Sequence, residues 1–203
     1  MNASRRFLKA ANSLLSAVVM LFLFTAGAYS AYSLWDNAQV YAAADDVQSE
    51  LMKIKPKVEE DGAASFEELR AINPDVCAWL TLDHTKIDYP ILQGEDNLTY
   101  LNTDVYGDFA LSGSIYLDSN CDNTFSGNYS LLYGHHMANH KMFGDLDKYK
   151  NQKFFKKNDT GTLILPDRSY KLKVFACLSV PASEQVIFGP EQWQTDTTGL
   201  VEY

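Results

Sequence analysis

The chain has 203 residues and a net charge of −9, a length that suits one compact domain plus a tether. Arg5, Arg6 and Lys9 precede the first apolar run, so the remainder is more acidic than the total, which argues against a nucleic-acid polyanion as partner. Three cysteines, Cys77, Cys121 and Cys177, are odd in number, so no closed disulfide scaffold is expected, and without a Cys-x-x-Cys pair there is no ligand framework for a zinc ribbon.

The run from Leu14 to Trp35 is apolar with only small hydroxyl interruptions, long enough as a helix to cross a bilayer core of roughly 30 Å. The cationic residues before it predict a cytoplasmic N-terminus and an external bulk after Asp36, by the positive-inside bias. A cleaved signal peptide is the rival reading, with Ala26-Gly27-Ala28 and Ala42-Ala43-Ala44 as small-residue sites, but its apolar core usually spans only about 7 to 15 residues. Residues 1–35 are therefore read as cytoplasmic tip and membrane anchor, 36–64 as an extracellular stalk, and 65–203 as the folded domain.

From Asp36 to about Glu60 the sequence is rich in alanine and charge, and Val40, Val47, Leu51 and Ile54 recur at helical spacing, the pattern of an amphipathic helix. Pro56 and Asp61-Gly62 break it. Ser65-Phe66-Glu67-Glu68 has the form of a capping box for a short helix through about Ala71, and Asn73-Pro74 ends it.

After Pro74 short apolar runs alternate with turn residues, the texture of a β sandwich or barrel. The expected strands are Ala78 to Leu82, Tyr89 to Leu92, Ser114 to Leu117, Tyr129 to Tyr133, Gly161 to Leu165 and Tyr170 to Val180. A helical turn is expected over Asn97 to Asn102. Met142, Phe143, Leu146 and Tyr149 predict a short helix within Lys141 to Lys156.

Leu131-Leu132-Tyr133-Gly134-His135-His136-Met137 is the segment richest in possible chemistry: an apolar strand that ends in glycine and delivers two imidazoles. Neighbouring strand residues face opposite ways, so only one of the pair serves a given site. His136 and His140 stand at i, i+4 if the segment is helical, with Asp145 nearby. There is no glutamate to complete a His-Glu-x-x-His arrangement, and no metal site is assigned.

Six ordered blocks resemble the class B sortase family: Asn73-Pro74-Asp75-Val76-Cys77-Ala78-Trp79-Leu80, Ile87 to Gly94, Asp96-Asn97 with Tyr100-Leu101, Gly113 to Asp118, Tyr133 to Met137, and Met142 to Leu146. The resemblance covers about Phe66 to Val180. It implies a mainly β fold, a sortase-like β-barrel of about eight strands behind an N-terminal membrane helix and helical stalk. It also implies a cysteine transpeptidase at the outer face of a Gram-positive cell. Such an enzyme cleaves C-terminal sorting signals of secreted proteins and passes them to a cell-wall precursor or pilin amine, with no metal or organic cofactor. The family's catalytic histidine maps to His135, as acid toward the leaving amine and base toward the incoming one. His136 maps to a hydrogen-bonding or surface position. His140 stands where the family often has glycine, a departure that Asn139 in a left-handed conformation would accommodate.

The family also implies a nucleophilic cysteine in a Thr-Leu-x-Thr-Cys type strand and an oxyanion-supporting arginine after it. Neither occurs in these residues. Pro181 to Tyr203 matches the place of an extra helix. The chain is accordingly read as C-terminally incomplete, lacking the final strands, with an exposed sheet edge, and inactive as given. Of its own thiols, Cys77 reads as a small core residue and Cys121 as blunted by a neighbouring carboxylate. Cys177 lies on a lysine-bearing strand face but lacks a positioned base. The alternative reading is a catalytically dead, membrane-anchored module that binds sorting-signal peptides.

Overall fold

The computed structural model describes residues 3–58 and 64–203, so the expected break at Asp61-Gly62 lies outside the described residues. The chain divides into two units, Met1–Ala42 and Ala43–Tyr203. The first consists of the greater part of helix α1 (Ala3–Lys53), whose leucines and phenylalanines from Leu14 to Phe24 are all exposed. The helix is long and apolar enough to cross a membrane, and none of that stretch is buried. A signal sequence near the N-terminus can satisfy the same criterion of length and hydropathy.

The second unit is built on a six-stranded mixed sheet in the order β4-β3-β2-β1-β7-β8. Its strands are β1 (Val76–Leu82), β2 (Asp88–Leu92), β3 (Ile115–Leu117), β4 (Leu132–Tyr133), β7 (Thr160–Ile164) and β8 (Ser169–Lys173), with β5 (His136–Met137) and β6 (Lys141–Met142) forming a separate hairpin. β1 and β2 lie at its centre, and both faces are covered. Ala78, Leu80 and Leu82 pack with Ile91, Ile115 and Leu163 on one face, whereas Trp79, Val76 and Leu92 pack with Phe66 and Leu69 on the other. Alternate residues thus feed two cores, which is why β1 reads as one continuous apolar run.

Pro90 is tolerated inside this sheet because β2 meets β3 only from Ile91 onward, in register with Ile115. Between Val76 and Ala78 the pairing shifts by one residue, a bulge that leaves Cys77 without a ladder partner.

Helix α2 (Glu67–Ile72) starts later than the capping box predicts. Ser65 Oγ accepts only the Glu67 N–H, at 3.5 Å. The entry is fixed instead by Phe66, which is buried with Leu69 and Trp79; burying a phenylalanine outweighs a marginal cap. The helix expected after the histidines is resolved as a 3-10 segment (Phe143–Lys150) followed by α3 (Gln152–Lys157). Asn151 caps α3 by accepting the Lys153 and Phe154 N–H groups. Three short helical turns, α4 (Gln185–Phe188), a 3-10 turn (Pro190–Trp193) and α5 (Thr198–Glu202), occupy the region where one extra helix is expected.

The last strand is much shorter than Tyr170 to Val180. β8 ends at Lys173, which pairs with Thr160, the first residue of β7. One more hydrogen bond follows, Val174 N–H to Asp159 O at 2.7 Å, and beyond it the chain has no neighbouring strand. Phe175 and Leu178 are therefore exposed, and the alternation expected there buries nothing.

Candidate active site

β3 and β4 pair antiparallel, with Tyr116 opposite Tyr133 and Leu117 opposite Leu132. β4 stops at Gly134, where a Cβ would lie 2.3 Å from Ile115 Cδ1 and 2.9 Å from the Phe143 ring. Any larger residue would displace the Ile115 methyl and the Phe143 ring, and the chain leaves the sheet at that point. His135 follows, half-buried, with Nε2 2.8 Å from the Leu101 carbonyl oxygen. A carbonyl can only accept, so Nε2 carries the proton and Nδ1 is the nitrogen left to take up or release one.

His136 and His140 are directed elsewhere. His136 Nε2 lies 2.8 Å from Asp147 Oδ2, and His140 Nδ1 lies 2.5 Å from Asp145 Oδ1. The segment is a hairpin and not a helix. Asn139 and His140 both take left-handed φ values, 57° and 65°, so the i, i+4 spacing does not bring the two rings to one point. Among the described residues no group of three metal-ligating side chains occurs.

Asp145 is fully buried and accepts from the Lys86 N–H at 2.7 Å and Lys148 Nζ at 2.8 Å besides His140. Burial alone would raise its pKa, but the hydrogen bonds from Lys148, Lys86 and His140 outweigh it and hold the carboxyl below its usual value.

Sequence reasoning did not single out Asp118. It is 2% exposed at the end of β3, and its Oδ2 accepts from Asn97 Nδ2 at 2.8 Å and the Tyr133 hydroxyl at 2.9 Å. Its Oδ1 accepts the Asn120 N–H at 2.8 Å. One carboxylate therefore ties the loop after β2, the turn after β3 and the strand that leads to His135. Burial, and then the bond to Asp118, push the Tyr133 hydroxyl pKa up. The available signal was a charged residue closing an apolar run at Ile115-Tyr116-Leu117.

Neither buried thiol is activated by its surroundings. Cys77 is buried and donates to Ile91 O at 3.4 Å, and burial pushes its pKa up to about 12. Cys121 is buried too, at the turn after β3. Its pKa is raised by burial first and by Asp118 and Glu191 after that. Cys177 is exposed, but it lies past the end of β8, so the lysine-bearing strand face expected around it does not form.

No family model matches the chain. Sortase B of Listeria monocytogenes is 32% identical over 166 residues, covering 81% of this chain and 67% of that protein. The crystal structure of a Streptococcus pyogenes class B sortase involved in pilus biogenesis matches at 44% identity with a TM-score of 0.59, over 62% of this chain and 70% of that one. A Staphylococcus aureus sortase B–substrate complex matches at 27% identity with a TM-score of 0.63, over 82% and 76%. Sequence and curled mixed sheet agree from two directions, and the chain belongs to the class B sortases, a family of sortase-type cysteine transpeptidases.

Proposed function

We propose that this chain is a membrane-tethered class B sortase component whose His135 moves protons during transfer of sorting-signal peptides. The substrate class is supported by the likeness to a sortase B–substrate complex. α1 supplies the tether, with its N-terminus cytoplasmic and the sheet domain outside.

The observation that carries the reading is the placement of His135. Its ring sits at a strand end, half-buried and held through Nε2, and among the described residues Nδ1 has no hydrogen-bond partner. In the family reaction a thiolate attacks the substrate carbonyl, and the scissile amide nitrogen leaves as an amine after receiving a proton. The acyl thioester is then resolved by a second amine, which gives a proton back. An imidazole that exchanges its proton at Nδ1 while Nε2 stays anchored performs both transfers.

The thiolate is not furnished by Cys77, Cys121 or Cys177 in this reading, so the 203-residue chain is inert alone. The test pairs two proteins. The chain itself, incubated with a fluorogenic sorting-signal peptide, shows no turnover. The chain joined after Tyr203 to the C-terminal strands of a class B sortase, with that family's cysteine and arginine, cleaves the peptide. His135→Ala in the joined protein lowers the rate by about 10²- to 10⁴-fold, the usual worth of general acid–base catalysis. Turnover by the chain alone that disappears in Cys177→Ala overturns the assignment of that cysteine, and full activity of the His135→Ala protein overturns that of the histidine.

A further inference from the structure

The membrane-proximal helix ends against the hairpin that backs His135. Within the second unit, Asp45 forms an ion pair with Lys141, a lysine only 7% exposed at the start of β6. One turn further along α1, Gln48 Oε1 accepts the Tyr89 hydroxyl at 3.1 Å, and Gln48 Nε2 donates to Lys86 O at 3.2 Å. The Tyr89 oxygen in turn accepts the Met142 N–H at 3.1 Å. Two adjacent residues of β6 are therefore tied to two residues of α1, one directly and one through a buried tyrosine.

These ties fall where the backbone is least able to hold itself. Met142 has a φ of 48°, a left-handed value that costs an unbranched side chain about 1 kcal/mol or more and persists only where the surroundings fix it. A small cavity of about 30 Å³, lined by Val47, Leu51, Tyr89 and Met142 among others, lies along the same contact. Leu51 packs into the core beside it, 3% exposed, and the polar bonds add registration to that packing. The next residue, Phe143, gives its N–H to the His135 carbonyl at 2.9 Å and places its ring against Gly134. Gly144 follows so close to Met137 that a Cβ would lie 2.0 Å from the Met137 oxygen. Whatever fixes Met142 fixes the backbone of Gly134 to Met137.

We infer that the end of α1, through Asp45, Gln48 and Tyr89, is a positioning element for His135, so that the segment joining anchor to domain also sets the aim of the imidazole. This rests on the reading of His135 as the proton-transfer group, but its test does not.

The full chain, labelled on histidine and carried in phosphatidylcholine–phosphatidylglycerol nanodiscs, reports the His135 tautomer through its two ring-nitrogen resonances. The Phe143 amide reports the bond to His135 O through hydrogen exchange. In Tyr89→Phe and Gln48→Leu the Nε2-protonated signature of His135 weakens and Phe143 exchange accelerates on the order of tenfold, as expected for loss of a typical hydrogen bond. Lys55→Met breaks a different tie of the same region, the pair with Asp88 at 2.7 Å, and leaves both signals unchanged. Wild-type signals in Tyr89→Phe and Gln48→Leu overturn the inference. Equal changes in Lys55→Met also overturn it, because they reveal general loosening. Should Tyr89→Phe fail to fold, the half-exposed Gln48 position decides the matter. A catalytically silent His135 in the joined protein, alongside positive signals here, would sink the proton-transfer reading and leave the positioning intact.

Discussion

The centre of the sheet and the stretch that continues its β8 edge, Val174 to Val180, are both apolar in sequence, yet one is sealed and the other bare. Trp79 in β1 has no exposed surface and donates its indole N–H to Asp88 at 2.5 Å, whereas Phe175 beyond β8 is 77% exposed. The difference is partnership. β1 has strands on both sides and a core on each face; the chain past Val174 has none of these. Apolar residues stabilise only what covers them.

Trp79→Ala makes the sharpest break in that comparison. Emptying the site costs about 3–5 kcal/mol, read as a lower urea midpoint of the full chain, and a loss under 1 kcal/mol would show that the centre is not the stable part. Asp118→Ala comes next. It leaves the Tyr133 hydroxyl, the Asn97 amide and the Asn120 N–H without their acceptor, at about 1–3 kcal/mol for the desolvated groups. Asp118→Asn, which retains one acceptor oxygen, recovers part of that loss in the same measurement.

Asp145 sharpens the comparison through pH. Its folded pKa is depressed, so its contribution is complete above the unfolded value of about 3.9 and is lost as pH falls through the lower folded value. Unfolding midpoints of wild type should hold steady down to about pH 5 and decline from about pH 4, and Asp145→Asn should flatten that acid limb. An identical decline in both proteins would place the acid sensitivity elsewhere.

The smallest effects belong to the edge. Phe175→Ala should shift stability by no more than about 0.5 kcal/mol in the same unfolding experiment. In the native chain a maleimide should modify Cys177, the exposed thiol, and reach Cys77 and Cys121 only on unfolding, as intact mass reports. Rapid native labelling of Cys77 would mean that the bulge at the start of β1 opens.

Local chemistry made the centre legible. Trp79, Ile91 and Ile115 lie in short apolar runs bounded by turn residues, and their strands form within two residues of where the runs fall. The segment from Tyr170 to Val180 has the same alternation and yields a strand only as far as Lys173, because a ladder extends no further than the strand it pairs with. That limit is a property of the neighbour and is not encoded in the segment itself. His135 was singled out only through the family resemblance, because the apolar strand and its glycine deliver His136 just as well. Asp118 was passed over because a lone carboxylate at a strand end looks like any turn residue until Tyr133 and Asn97 converge on it. His136 and His140 were read at helical spacing, and two left-handed residues in the turn replaced that with a hairpin.

The pairing of β2 with β3 is parallel, and parallel neighbours cannot be joined by a tight reversal. The chain must instead travel from one end of the sheet back to the other, and residues 93–114 make that journey. Leu101 lies partway along it, and its carbonyl is the one that receives the His135 ring. The detour forced by strand direction thus doubles as half of the imidazole's cradle. Lengthening or shortening it would retune the site while leaving the ladder of β1, β2 and β3 untouched, which gives this architecture a place to vary its reactivity at little risk to its foundation.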